Sequence, residues 1–439
     1  MNRAGSASID ITPPLGLTIQ AATHSHPAEI IRDPLEANAL YLAGPDASVV
    51  LVNCDLAGME PDMVVAIRDA AGSAAGLDPR SIIITCTHTH GGPVMMPTNR
   101  YSRPDKAYHA QLRANLVEVV KRACAAAQPV RLAWGVGHAP LGYNRRVCFA
   151  DGSHAMHGDA HRADFTGLEG PDDHRHIALF VNDVAGKTIA VVYNNTSHPT
   201  TFYGGNCFSA DFPGAVRKQL RSAIEPGLAV LFLNGAQGDI CMIDLLADQP
   251  HAESQDRKIA RLADLAAGET LRLLYEAHYR NDAIIKHIWT ELKVDVRLPA
   301  PEHLVWARKI LAEADKLEDK ANVQWDVLRA HGADLLDRAY GTNPVDHLPL
   351  HAIRIGDLGL ATVPCELYCQ FGLDIKRRSP APLTAIVGLA DGSHGYCPTM
   401  AGILGGGYSG EPIFWTRLAE NAGYKLVDEG CRMLHELWR

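Results

Sequence analysis

No two cysteines of this 439-residue chain stand in a Cys-x-x-Cys spacing, although ten cysteines are present. That absence argues against a structural zinc knuckle, and cysteines scattered in this way read as reduced core residues of a cytosolic chain. No long run of Lys and Arg occurs, the formal net charge is −9, and the isoelectric point is ≈ 6.1. Nucleic acid and anionic membrane surfaces are therefore excluded as partners. No segment approaches the ~18–20 apolar residues of a membrane span, and the N-terminal MNRAGSASIDITPPLG lacks the apolar core of a secretion signal. A soluble, cytoplasmic protein without stable membrane association is expected. Internal repeats and linkers of domain-boundary quality are missing too, so one large domain over residues 1–439 is expected, with oligomeric state left open.

What remains is ordinary globular composition, 47% hydrophobic and 21% charged, with one excess. Histidine, at 21 residues, is more abundant than packing needs.

Two of those histidines sit in SIIITCTHTHGGP, residues 81–93. The β-branched run 81–86 reads as a buried strand, and Gly91-Gly92-Pro93 stops it and turns the chain. His88 and His90 at i and i+2 on a strand end would point the same way. Imidazoles placed where a core strand meets a glycine turn suit a metal or a catalytic base, and equally suit the bonding of buried backbone groups.

The same arrangement recurs along the chain. Residues 10–16 read as an extended lead-in, followed by a Thr/His/Ser patch with His24 and His26. A strand is expected at 49–56, a helix at 61–75 with Pro at its first turn, a long amphipathic helix at 104–127 and a strand at 131–136. Residues 138–175, rich in Gly, Asp and His, read as a long irregular loop, either solvated or covering a cleft. Strands at 177–182 and 188–195 form a hairpin, and His198 follows the second. The strand 229–234 runs into Gly235-Ala-Gln-Gly238-Asp239-Ile-Cys241, a glycine-rich turn whose N–H groups suit an oxyanion or phosphate. Helix is expected at 252–280, strand at 284–298, and helix again over 302–330 as a hairpin. Strands at 351–355 and 359–363 precede Glu366, a strand at 383–389 precedes a glycine-rich loop with Tyr396 and Tyr408, and a helix near 414–438 closes the chain. The fold class is α/β, with mixed sheets flanked by helices and a metal site at strand ends. Two histidines and one carboxylate are the protein ligands of many catalytic zinc sites, which keep a position open for water.

Taken together, D-I-T-P (10–13), T-H-T-H-G-G-P (87–93), Y-N-R (143–145), S-H-P-T (197–200), A-D-F-P-G (210–214), F-L-N-G-A-Q-G-D (232–239), V-P-C-E (363–366) and G-Y-C-P-T with Tyr408 (395–408) resemble, in order, the catalytic domain of the neutral (alkaline, non-lysosomal) ceramidases. These are zinc-dependent amidases that cleave the N-acyl bond of ceramide. The resemblance implies that His88, His198, Glu366 and Tyr396 hold Zn2+. It implies that His90 is a neighbouring group or general base, and that Arg145 and Tyr408 hold or polarise the scissile carbonyl. Cys241 stands where the family has a serine often assigned as nucleophile. It is a candidate nucleophile, a further zinc ligand, or a small residue beside the turn. His24, His26, Asn144, Gly238 and Asp239 are candidate substrate contacts.

Three departures from the family shape the expected substrate. The chain ends soon after Tyr408, so no C-terminal immunoglobulin-like domain is expected. There is no signal peptide or apolar surface helix, and Cys365 replaces the usual glycine before the ligand glutamate. The expected reaction is hydrolysis of an amide of a small soluble molecule, rather than ceramide, by zinc-activated water. A polar lining would suit a substrate bearing a carboxylate or hydroxyls. Two alternatives stand beside it: covalent catalysis by Cys241 on an ester, lactone or amide, and a non-catalytic metal-binding protein.

Overall fold

A computed structural model describes residues 1–21, 23–96, 98–316 and 322–439. Among these, eight strands form the largest sheet: Arg3–Asp10 (β1), Glu36–Ala43 (β2), Ser48–Cys54 (β3), Ile82–Cys86 (β4), Gln128–His138 (β5), Arg175–Asp183 (β6), Thr188–Asn195 (β7) and Ala229–Asn234 (β8). Their spatial order is β8-β7-β6-β5-β1-β2-β3-β4. A second sheet takes Ile285–Asp295 (β9), Val345–Ile355 (β10), Leu358–Thr362 (β11) and Leu383–Val387 (β12), neighbours in chain order.

Period-two alternation assigns each strand residue to one of two cores. Leu40, Leu42, Leu51, Ile83, Leu179, Val192 and Leu231 turn inward and meet Ile353, Ile355, Leu360 and Val387 of the second sheet. Their neighbours face the other way. Val50, Val52, Ile82 and Ile84 pack under Pro61–Ala75 (α1) and Lys106–Ala125 (α2). Phe180, Val191, Tyr193 and Phe232 pack under Asp211–Ala223 (α3) and Gln255–Tyr275 (α4). The outer face of the second sheet, with Leu348, Leu350, Ala352 and Ile386, is covered by Pro301–Ala314 (α5), Trp325–Tyr340 (α6), Cys369–Arg378 (α7) and Ala422–Leu437 (α9). The five-residue Met400–Leu404 (α8) lies on the loop before α9. The result is one α/β domain with the layers helix, sheet, sheet, helix.

Three readings of the sequence need correction. β1 and β2 belong to the main sheet, yet β1 is built from Arg-Ala-Gly-Ser-Ala-Ser-Ile-Asp, whose small residues give almost no hydrophobic period. Smallness is what the packing requires: a Cβ on Gly5 would lie 2.2 Å from the Ala123 carbonyl oxygen, so only glycine lets α2 approach that closely. Residues 138–175 are not one irregular loop. Arg146–Phe149, His154–Met156 and Phe165–Leu168 pair as a small sheet, and Tyr143–Asn144 pairs with Ile240–Cys241. Strands of two to four residues hold too few apolar positions to show a period. The hairpin expected over 302–330 has its two arms in α5 and α6, which pack on each other, but the second arm runs on to Tyr340. Residues 317–321 of that span lie outside the described residues.

Curling of the main sheet decides where the site forms. Asn53 on β3 donates its amide to the Phe232 carbonyl of β8 (2.8 Å) and accepts the Phe232 N–H (3.0 Å). Asn234 at the end of β8 donates to the Thr87 carbonyl just beyond β4 (3.3 Å). The two margins of the sheet, far apart in strand order, are thus brought together at one end.

A buried charged network ties the layers behind that end. Asp391, in the loop after β12 with φ 60°, accepts the Ile84 N–H (2.8 Å), Arg68 Nη1 from α1 (2.8 Å) and His351 Nε2 from β10 (2.7 Å). His287 Nε2 of β9 meets His351 Nδ1 at 2.9 Å. Among the described residues, no helix is long and apolar enough to cross a membrane.

Candidate metal centre and active-site cavity

Three parallel strand pairs supply the site: β3 with β4, β7 with β8, and β11 with β12. Each releases its chain at the C-terminal end, where open α/β sheets bind ligands. His88 and His90 follow β4, His198 follows β7, Gln237 and Asp239 follow β8, Glu366 follows β11 and Tyr396 follows β12.

The histidine pair does not converge by strand alternation as expected. β4 ends at Cys86, and His88 adopts a left-handed φ of 69° beyond it. A non-glycine residue there carries strain that the surroundings must hold in place. Here the bond from His88 N–H to the Leu56 carbonyl (2.9 Å) and that from His90 N–H to the Pro199 carbonyl (3.0 Å) do so.

The side-chain geometry is one that could hold a metal ion. His88 Nε2 lies 3.1 Å from His198 Nε2, 3.3 Å from His90 Nε2 and 3.3 Å from Glu366 Oε2. His198 Nε2 is 3.9 Å from the same carboxylate oxygen. The other nitrogen of two rings is taken by backbone: His88 Nδ1 meets the Ala57 carbonyl and His198 Nδ1 the Gln237 carbonyl (3.1 Å). A carbonyl can only accept, so both rings are Nδ1–H tautomers that present Nε2 lone pairs to a common point. Burial, then the His88 imidazole and Arg145, holds His90 well below its ordinary pKa. Burial, then Arg145 and the other two imidazoles, does the same to His198. With their Nδ1–H groups turned to those carbonyls, His88 and His198 point Nε2 lone pairs at each other across 3.1 Å. Glu366 Oε2 is buried without a hydrogen-bond partner among the described residues. The three imidazole nitrogens lie close enough together to hold a metal ion, Glu366 Oε2 stands beside two of them, and nitrogen ligands with one carboxylate would suit zinc.

Arg145 forms the next layer. Its Nη2 donates to the Gly238 carbonyl (2.9 Å) and to the Tyr396 hydroxyl (3.2 Å). Burial opposes the guanidinium charge, but Tyr396, Glu366 and Cys241 around it outweigh burial, and its pKa is raised. The Tyr396 ring meets Tyr408 edge-on with centroids 5.6 Å apart. Burial raises the pKa of both phenols well above the usual value, leaving them as proton donors.

These groups open into a cavity of 910 Å3, with His88, His90, His198, Arg145, Glu366, Tyr396 and Tyr408 on its wall. Seven of the thirteen residues expected in the site are thus brought together. The other six stand behind the wall. Cys241 is buried and donates its thiol to the Ile243 carbonyl (3.2 Å); burial pushes its pKa up to about 11. Asn144 donates to Asp239 Oδ2 (2.9 Å), and Asp239 Oδ1 accepts the Cys369 N–H (2.7 Å). Burial raises the Asp239 pKa to about 7. Gly238 packs so tightly on the Glu366 turn that a Cβ would sit 2.4 Å from the Glu366 carbonyl oxygen. His24 bonds Thr23 Oγ1 (2.8 Å) and stands edge-on to Tyr203, and His26 lies beside His24.

Sequence reading missed several wall residues. Tyr203, Trp325, Tyr340, Phe414 and Trp415 join Tyr408 in an aromatic lining. Trp325 and Tyr408 have ring centroids 5.2 Å apart, and Tyr408 and Trp415 6.2 Å. His157 is delivered by the small sheet, its N–H donating to the Arg145 carbonyl at 2.7 Å. The crowding of histidines between 150 and 176 was a usable signal for His157. Asp346, His394 and Arg417 also line the cavity as a bonded trio, Arg417 Nε and His394 Nδ1 lying 2.8 and 3.0 Å from Asp346 Oδ2. No local motif marks residues so far apart in the chain.

No model of a known protein family matches the sequence, and no curated protein matches it. Two solved structures share the architecture. The neutral ceramidase from Pseudomonas aeruginosa superposes with a TM-score of 0.75 at 16% identity, over 99% of this chain and 74% of that one. A ceramidase complexed with C2 gives 0.72 at 14% identity, over 100% and 75%. The likeness anticipated from the ordered motifs holds at the level of the fold, and the chain has a neutral-ceramidase-like architecture across its length.

Proposed function

We propose that this protein is a zinc-dependent hydrolase of amide bonds in small soluble molecules. The observation that carries the reading is the cluster of His88, His90 and His198 at the end of a large cavity, with the unpartnered Glu366 Oε2 3.3 Å from His88. His88, His198, Glu366 and Tyr396 would hold the metal, with His90 as a third nitrogen or as base. When bound, zinc supplies a Lewis acid that acidifies water and polarises a carbonyl. The chain's own residues supply the rest. His90, held neutral, can take a proton at Nε2 as water attacks. Arg145, fixed by the Gly238 carbonyl and Tyr396, and the Tyr408 hydroxyl face the place where negative charge develops on the carbonyl oxygen. The likeness to ceramidases supports amide chemistry.

The cavity also bears on the substrate. Its volume falls within the ~300–1,000 Å3 range of small-ligand pockets. Its wall sets aromatic rings beside polar side chains such as Gln20, Glu60, Asp62 and Thr98, with His24 and His26 set back from it. Arg417 is bound to Asp346, which leaves it no free charge for a substrate carboxylate. An amide bearing a flat apolar group close to the scissile bond fits these walls.

The test is metal content together with hydrolysis of short N-acyl amides, lactams and esters carrying aryl, alkyl or charged groups. Near-stoichiometric zinc and cleavage of aryl-bearing amides are expected. Metal binding with no cleavage across the panel would leave a non-catalytic metal protein. Covalent catalysis by Cys241 is the competing chemistry, and the high thiol pKa and its bond to Ile243 weigh against it. Cys241→Ser is expected to keep the rate within about threefold of wild type, under ~1 kcal/mol in barrier. A dead Cys241→Ser that still binds metal would make the thiol the nucleophile.

A further inference from the structure

Resting on that reading, we infer that Arg146 is a positioning residue: it fixes the glycine loop that carries Tyr408 and so sets Tyr408 against Arg145. The two arginines are consecutive in extended chain, so their side chains leave on opposite sides. Arg145 enters the cavity. Arg146 goes the other way and is fully buried.

The destination of Arg146 is a glycine-rich stretch held by a few backbone bonds of its own, such as Gly405 N–H to the Ala401 carbonyl (2.8 Å) and Gly406 N–H to the Ile403 carbonyl (3.2 Å). Gly405, Gly406 and Gly407 precede Tyr408, the last two glycines with φ of 71° and 76°. Three glycines in a row bring no side chain to pack and the largest backbone entropy to lose. The guanidinium adds further anchors. Nη2 donates to the Gly402 carbonyl (3.1 Å) and the Gly406 carbonyl (3.0 Å), and Nη1 to Ser409 Oγ (3.3 Å), so Tyr408 lies between two anchored residues. Ser409 is bonded in turn to the Tyr368 hydroxyl.

The clamp has its own support. Arg146 Nε donates to Glu169 Oε2 (2.8 Å), and the same oxygen takes His154 Nδ1 (2.6 Å). His154 N–H donates to the Gly405 carbonyl (2.9 Å), and a Cβ on Gly405 would lie 2.2 Å from the His154 ring. A wholly buried ion pair is a poor source of stability, because desolvation offsets the attraction. Planar forked donation to three acceptors on one loop is what arginine offers and lysine cannot.

The experiment uses the full chain. Arg146→Lys and Ser409→Ala, each alone and combined with Tyr408→Phe, are compared for hydrolysis of the best amide of the panel and for hydrogen exchange of residues 402–410. Both single variants are expected to speed exchange in that segment and to lower kcat about 10-fold with little change in KM, a size consistent with displacement of a catalytic group by a fraction of an ångström. Neither should add to the loss caused by Tyr408→Phe. Losses that multiply with Tyr408→Phe, or exchange unchanged at 402–410, would overturn the proposal. Ser409→Ala keeps the buried ion pair, so it answers even where Arg146→Lys folds poorly. Should wild type cleave nothing, the hydrolase reading fails. Exchange then decides the clamp alone, supporting it by acceleration confined to 402–410.

Discussion

His88→Ala is expected to lose bound metal and hydrolysis together. Three of the atoms at the centre lie within 3.3 Å of His88 Nε2, which makes it the atom common to the close contacts there. Loss of a supporting bond around a metal ligand costs 10–100-fold in affinity or activity, and loss of the ligand itself should exceed about 100-fold. Backbone strain confuses the comparison, because His88 has a left-handed φ and alanine enters that region reluctantly. His88→Asn answers this, since asparagine tolerates the conformation. Metal analysis should show both variants empty with the fold intact by circular dichroism. Metal retained at wild-type stoichiometry in either variant would remove His88 from the ligand set.

A second large effect is expected in stability. Asp391→Ala leaves Arg68 and His351 without their shared carboxylate, and the Ile84 N–H without an acceptor, in a region closed to water. Breaking a buried pair by removing one partner costs about 3–5 kcal/mol, read as a fall in the denaturant midpoint with unchanged slope. The same carboxylate gives the fold an acid limit. Burial raises its pKa, but His351 and Arg68 lower it further, so the folded-state value lies below the ordinary one. The stability it contributes is complete above the unfolded-state pKa of about 3.9. It fades as pH falls through that value toward the folded one. Asp391→Asn should flatten that acid slope, and an Asp391→Ala midpoint matching wild type would remove the network from the list of major supports.

Much of the site could be read from the chain because each contribution follows a strand and a turn. His88, His198, Glu366 and Tyr396 were legible as polar residues released from apolar runs. Their convergence was not. Nothing local says that β4 and β8, at opposite margins of one sheet, are brought together through Asn53 and Asn234. The cavity wall was legible only in part, since Trp325, Asp346 and Arg417 come from elements whose own patterns describe packing. β1 escaped notice because Gly5 and its small neighbours were selected for the closeness of α2, which removes the hydrophobic period that would reveal a strand.

The closure of the main sheet also sets an order on folding. His88 and His198 stand 110 residues apart, so no hairpin or local helix pair can unite them, and chain closure over such distances is paid before any contact rewards it. A cation finds its ligands only once the two margins have met. Were a cation to bind there, uptake would be the final event, and by binding the closed form alone it would draw the chain toward completion. On the proposed zinc reading, metal supply during synthesis would then govern how much closed protein accumulates. Chains that finish without zinc should reopen first along the seam between β4 and β8.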